Sequence, residues 1–152
     1  MIDARLAELG ITLPEPAAPV ASYVPAVEIG GFLYISGQIS FVDGQLMTGK
    51  IGDTRTEDDG ILAAQSCGLM LIAQMKKALG SLDRVERIVK LGAFVACVPD
   101  FSGQPKIANG ASDLMEAVFG DAGKHARSAV GVPVLPLDAT VEIDAIIAVK
   151  PA

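Results

Sequence analysis

Two spacings of apolar residues alternate along this chain. Over 57–79 they recur every three or four positions: Ile61, Ala64, Gly68, Ile72, Met75 and Leu79 fall on one stripe of a helix. Over 126–134 and 140–149 they recur every second position, in the β-branched residues Val130, Val132, Val134 and then Val141, Ile143, Ala145, Ile147, Val149. These two arms read as a final hairpin closed by Leu135-Pro136-Leu137-Asp138. Residues 26–42 predict an earlier hairpin, with Ala26–Ile29 and Phe32–Ile35 as its arms. Gly30-Gly31 makes the two-residue turn that needs positive φ. Ser36-Gly37-Gln38 follows, and a glycine inside a strand marks a bulge or a close backbone approach. Asp43-Gly44 predicts another turn and Gln45–Met47 a short strand, with 48–55 a loop.

The remaining elements follow from their punctuation. Residues 2–9 predict a short helix capped by Asp3 and ended by Gly10. Residues 12–25, TLPEPAAPVASYVP, form an extended Pro-rich connector with Tyr23 as an anchoring aromatic. The long helix begins at a Thr56 cap backed by Asp59, carries Glu57, Asp58 and Asp59 at its positive end and Lys76 and Lys77 at its negative end, and stops at Gly80. Ala64 and Gly68 predict close approach to a sheet. Residues 87–98, RIVKLGAFVACV, are apolar at nearly every position and predict a strand buried on both faces, or covered on one by a neighbouring subunit. A second helix over 105–119 opens on Pro105 and turns Ile107, Leu114 and Val118 to the core. Asn109-Gly110 are poor helix formers, so Asn109 sits either in a frayed turn or as a placed side chain. The order predicts an α+β fold with two long helices on one face of a mixed sheet, plus a short N-terminal helix. The expected organisation is one domain over 1–152, with 1–19 as its N-terminal helix and Pro-rich extension.

Composition adds constraints. Hydrophobic residues make up 51% of the 152 and charged residues 20%, so few charges are left to cover the surface. Apolar surface buried between subunits is the expectation. A net charge of −6 without a basic cluster argues against nucleic acid as a partner. Cys67 and Cys97 stand in apolar segments without metal-type spacing, which suits buried, reduced thiols of a cytoplasmic protein. Neither a secretory signal nor a membrane-spanning run is expected. The sequence holds no Gly-rich phosphate loop and no His/Cys cluster, so no metal site is expected. His125, the single histidine, reads as a loop residue on the rim of any site around Arg127.

The polar residues of the last two arms carry the candidate chemistry. Arg127 opens one arm; Glu142 and Asp144, two apart, share a face of the other. A guanidinium presents a planar fork to a carboxylate, and a carboxylate in a partly apolar cleft can orient water and accept its proton. The same residues also suit a structural ion pair. Burial would raise the Glu142 pKa and a nearby Arg127 would lower it.

Ser22-Tyr23, Gly31, Tyr34-Ile35-Ser36-Gly37-Gln38-Ile39, Asn109, Ala126-Arg127-Ser128-Ala129-Val130 and Val141-Glu142-Ile143-Asp144-Ala145-Ile146, in this order, resemble the reactive intermediate deaminase family. The family is also called RidA or YjgF, and formerly endoribonuclease L-PSP or translation inhibitor. The resemblance covers about residues 20–149; the N-terminal extension and the segment at 99–106 look like a longer branch. It implies the chorismate-mutase-like fold, a homotrimer with clefts between subunits, and hydrolysis of 2-aminoacrylate-type imines to 2-keto acids and ammonia without metal or organic cofactor. It assigns Arg127 to the substrate carboxylate and Glu142 to the attacking water. Ser36, Gly37, Tyr23, Asn109 and Ala129 are then cleft residues, Ala129 standing where many members have Cys. The partners implied are small imino- and keto-acid carboxylates. Two other functions fit the same residues: a regulatory trimer that binds a small carboxylate without turnover, and an endoribonuclease, which the acidic chain and single histidine disfavour.

Overall fold

A computed structural model describes residues 1–18 and 22–152; the part of the predicted Pro-rich connector at 19–21 lies outside the described residues. The chain runs α1 (Ile2–Glu8), β1 (Ala26–Ile29), β2 (Phe32–Ile39), β3 (Phe41–Val42), β4 (Gln45–Leu46), α2 (Glu57–Leu79), β5 (Val85–Ala96), α3 (Gln104–Phe119), β6 (Ala126–Val132) and β7 (Val141–Val149). The main sheet has the order β1-β2-β7-β5-β6 and is antiparallel except where β6 lies parallel to β5. The two long helices cover one face of it, α2 over β2 and β7, and α3 over β5 and β6. This is the α+β architecture expected from the order of elements.

Local chemistry accounts for the elements. The Gly30-Gly31 turn has the positive φ it was predicted to need, 62° and 84°, and the predicted turn at Asp43-Gly44 has 50° and 81°. The Thr56 cap is a full capping box, with Asp59 N–H donating to Thr56 Oγ1 at 3.1 Å and Thr56 N–H to Asp59 Oδ2 at 3.0 Å. At the N-terminus the expectation differs from the outcome. Met1, not Asp3, holds the cap position of α1; Asp3 instead pairs with Lys76 at 3.1 Å, tying α1 to the end of α2.

The core fills the space between sheet and helices. Leu33, Ile88, Leu91, Val95, Val141, Ile143 and Ile147 from the sheet meet Leu71, Ile72, Met75, Ile107, Met115 and Val118 from the helices, all buried. Gly68 does not face the sheet as expected. A side chain there would press on Ala111 and Leu114 of α3, and one at Gly110 would strike the Ile61 carbonyl of α2. The glycines thus let the two helices pack against each other. The poor helix former at 110 is retained for that contact.

The predicted closing hairpin is not formed. β5 lies between β6 and β7, so the two arms never pair. β6 reaches β5 by a crossover through α3, the connection that parallel strands require. Residues 135–138 span an inserted strand rather than closing a two-strand turn, with positive φ at Leu137 and Asp138. As for β5, its Leu91, Ala93 and Val95 are buried under the helices, whereas Lys90, Gly92 and Phe94 alternate onto the open face.

Candidate functional site

The insertion of β5 decides where the polar residues point. Arg127 is in register with Leu91 and so faces the helix layer. Glu142 is in register with Phe94 and faces the open side of the sheet. The two residues chosen as a pair stand on opposite faces, one strand apart, and within one chain they do not meet. Each has its own surroundings.

The Arg127 half is built by β6 and α3. Arg127 Nη1 donates to Asn109 Oδ1 at 2.8 Å and to Ser112 Oγ at 3.0 Å. Asn109 is therefore a placed side chain. Ala129, two residues beyond Arg127 on the same face, is half-buried against the core. A cavity of about 430 Å³ opens here, lined by Ser112, Asp113, Glu116, Lys124, His125 and Arg127.

The Glu142 half is built by the bulge in β2. Ile35 opposes Ala145 but Gln38 opposes Ile143, so β2 spends one extra residue at Ser36-Gly37, where the sequence expects a bulge. That residue brings Gly37 beneath the Glu142 carboxylate, which occupies the space a side chain at 37 would take. Ser36 N–H donates to Pro25 O at 2.9 Å and Ser36 Oγ to Val24 O at 3.1 Å. The Ser36 hydroxyl hydrogen is thus committed to backbone, and it pins the segment that carries Tyr23 beside the bulge. Buried Gln38 and Gln74 extend the network: Gln74 Nε2 donates to Ala17 O at 3.0 Å and to Gln38 Oε1 at 3.3 Å, and Gln38 Nε2 to Ser36 O at 2.8 Å. A mostly apolar cavity of about 500 Å³ lies against this arrangement, with Tyr23, Gly37, Phe41, Met70, Leu137 and Glu142 in its wall.

Burial holds the Glu142 carboxyl above the usual carboxylate range, and the negative charge of Asp144 adds to the effect. Burial likewise raises Asp144, opposed by a hydrogen bond from the Gly92 amide and by Lys90. The contest foreseen between burial and Arg127 does not arise in one chain, because Arg127 lies on the other face. Both cysteines are free and buried, and burial pushes the Cys67 thiol far up, so it is unreactive.

Ser112 escaped the sequence reading. Its spacing of three from Asn109 places both on one face of α3, a signal that was available. His125 is a loop residue in the wall of the Arg127 cavity, as expected, and is bonded to Ser112. No group of three His, Cys, Asp or Glu that could hold a metal occurs among the described residues, and no helix is long and apolar enough to cross a membrane.

A family model described as "YjgF/chorismate mutase-like, putative endoribonuclease" matches residues 3–147. Protein TCP17 of Trypanosoma cruzi is 49% identical over 148 residues, 96% of this chain and 92% of the relative. The crystal structure of Atu1372 from Agrobacterium tumefaciens, a protein of unknown function, superposes with a TM-score of 0.90 at 44% identity, covering 98% of this chain and 92% of that one. A relative named 2-iminobutanoate/2-iminopropanoate deaminase, from Dermatophagoides farinae, is 28% identical over 143 residues, 92% of this chain and 95% of its own. The chain belongs to the YjgF/RidA family and has its chorismate-mutase-like fold.

Proposed function

We propose that this protein hydrolyses 2-imino acids to 2-keto acids and ammonia in clefts between the subunits of a homotrimer. The observation that carries the reading is the division of the site. One chain holds Arg127, Asn109 and Ala129 on one face of its sheet and Tyr23, Ser36, Gly37 and Glu142 against the other. A second copy, docked so that its Arg127 edge meets the Glu142 cavity of the first, completes the set. The open sheet face favours such docking: Val27, Ile29, Phe32, Tyr34 and Val130 are exposed there, an apolar surface that water covers poorly.

In the completed cleft Arg127 holds the substrate carboxylate through its charged fork. The imine carbon is electrophilic. Glu142 accepts a proton from water as the water oxygen bonds to that carbon, giving a carbinolamine. That proton passes to the nitrogen; the carbinolamine hydroxyl then gives up its own proton, which Glu142 relays to the nitrogen as the C–N bond breaks, so ammonia leaves with the bonding electron pair and the ketone forms. Glu142 ends as it began. In the single chain burial and Asp144 raise its pKa, which suits a base that takes and returns a proton, while the Arg127 charge brought by the second copy acts in the opposite direction. The chemistry needs no other group. Such a protein would work in the cytoplasm, where amino-acid metabolism releases imines.

The test is a coupled assay. An amino-acid oxidase generates imines from a panel of amino acids, and semicarbazide traps whatever imine survives. The wild-type protein is expected to divert imine from the trap and Arg127→Ala to fail. Equal trapping with and without wild type sinks the deaminase reading.

A further inference from the structure

We propose that His125 and Ser112 are positioning residues for Arg127: the imidazole fixes the direction of the Ser112 hydroxyl, and that hydroxyl, with Asn109, fixes the plane of the guanidinium. The proposal rests on the reading of Arg127 as the carboxylate-binding arginine.

The bonding is ordered from one end to the other. His125 Nδ1 lies 2.6 Å from the Gly123 carbonyl. A carbonyl only accepts, so Nδ1 carries the hydrogen, and in the neutral ring Nε2 is left as an acceptor. Nε2 lies 2.8 Å from Ser112 Oγ, so the serine donates its single hydrogen to the histidine. The serine oxygen then offers its lone pairs to Arg127 Nη1 at 3.0 Å. Every bond runs in one direction, from guanidinium to hydroxyl to imidazole to carbonyl, and each polarises the next.

The consequence lies at the far side of the guanidinium. Nη1 has two hydrogens, and Asn109 Oδ1 and Ser112 Oγ take both. Two acceptors on one nitrogen fix the plane of the group. Among the described residues Nε and Nη2 have no hydrogen-bond partner, and their N–H groups form the edge that grips a carboxylate with two parallel bonds. An alternative ring state undoes this. With hydrogen on Nε2, the serine oxygen faces two donors, its own hydrogen loses its acceptor, and the head-to-tail order is broken. Asp113, Glu116 and Lys124 line the same cavity, but none makes a hydrogen bond to the Arg127 guanidinium.

The experiment exploits the single histidine. Protein labelled with 15N-histidine gives one set of ring signals, which report the tautomer directly. The expected form has Nδ1 protonated and Nε2 bare, with both signals shifting on addition of 2-oxobutyrate in wild type and not in Ser112→Ala. Calorimetry with 2-oxobutyrate follows the same variants. His125→Ala and Ser112→Ala are expected to weaken binding roughly tenfold, about the worth of one hydrogen bond to a charged group. His125→Gln, whose amide oxygen reaches the Nε2 position, restores most of it. Melting curves identify any variant that fails to fold, and the wild-type tautomer stands whatever the variants do. An Nε2–H ring overturns the proposal. So does wild-type affinity in His125→Ala and Ser112→Ala while Arg127→Ala has lost binding; the arginine reading then survives alone. Undiminished binding by Arg127→Ala sinks both.

Discussion

The Glu142 carboxylate stands on Gly37, in the space any larger residue would fill. The glycine is there because β2 bulges, and the bulge exists because β2 spends one extra residue against β7 between Ile35 and Gln38. The candidate base is therefore placed by a defect in the strand beside it, which a single methyl group tests. Gly37→Ala is expected to leave the melting temperature within a few degrees of wild type. It should reduce imine hydrolysis roughly 100-fold, the cost of moving a reacting group by about an ångström. Unchanged turnover would show that the carboxylate need not rest there.

Arg127 has its structural partners on α3 and no carboxylate partner among the described residues. Its removal is a binding defect before it is a folding defect. Arg127→Ala is expected to weaken 2-oxobutyrate binding by about 2–3 kcal/mol, read by calorimetry, with thermal stability little changed.

A divided site predicts complementation. Arg127→Ala and Glu142→Gln are each inactive alone. Unfolded together and reassembled one to one, they are expected to recover about a quarter of wild-type activity. Mixed trimers form three times in four, and a mixed trimer has one intact cleft in three. If the mixture stays inactive although mass spectrometry finds mixed oligomers, the two halves do not meet across subunits.

The raised pKa of Glu142 predicts two pH effects. A base must be unprotonated, so activity falls on the acid side with an inflection above the ordinary carboxylate value of 4.5. Because Asp144 contributes to the shift, Asp144→Asn should move that inflection to lower pH. The second effect is on stability. A carboxyl whose pKa is higher in the folded state binds more protons folded than unfolded. Its stabilising contribution is complete below the unfolded value and is lost as pH rises through the folded one. Glu142→Gln should therefore raise the melting temperature at pH 8 and leave it unchanged at pH 4. An equal change at both pH values would contradict the cause assigned.

The reciprocal Thr56–Asp59 cap predicts a simpler result. Thr56→Ala is expected to cost about 1 kcal/mol in denaturant unfolding. Asp59→Ala should cost a similar amount, because each residue satisfies a backbone donor at the start of α2.

Much of the fold was legible from residue order. The stripe over 57–79 and its caps, the turns at Gly30-Gly31 and Asp43-Gly44, and the bulge at Ser36-Gly37 each depend on residues a few positions apart. Alternation also told correctly that Glu142 and Asp144 share a face. At the level of the candidate site the family motifs pointed to Arg127 and Glu142, and the structure sets each in separate surroundings. What no local pattern contains is which strands become neighbours. Alternation in β6 and β7 is equally satisfied by a hairpin and by two strands with β5 between them; burying the apolar face of β5 under the helix layer, where α3 covers it, selects the second. That choice turns Arg127 toward α3 and Glu142 toward the open face, separates the candidate pair within the chain, and brings Ser112 and His125 to the arginine. The amino-acid order determined which side chains lie on which side of each element, because that is set by backbone period. Only the tertiary structure decided which elements lie side by side, because strand pairing is a long-range contact whose energy comes from packing.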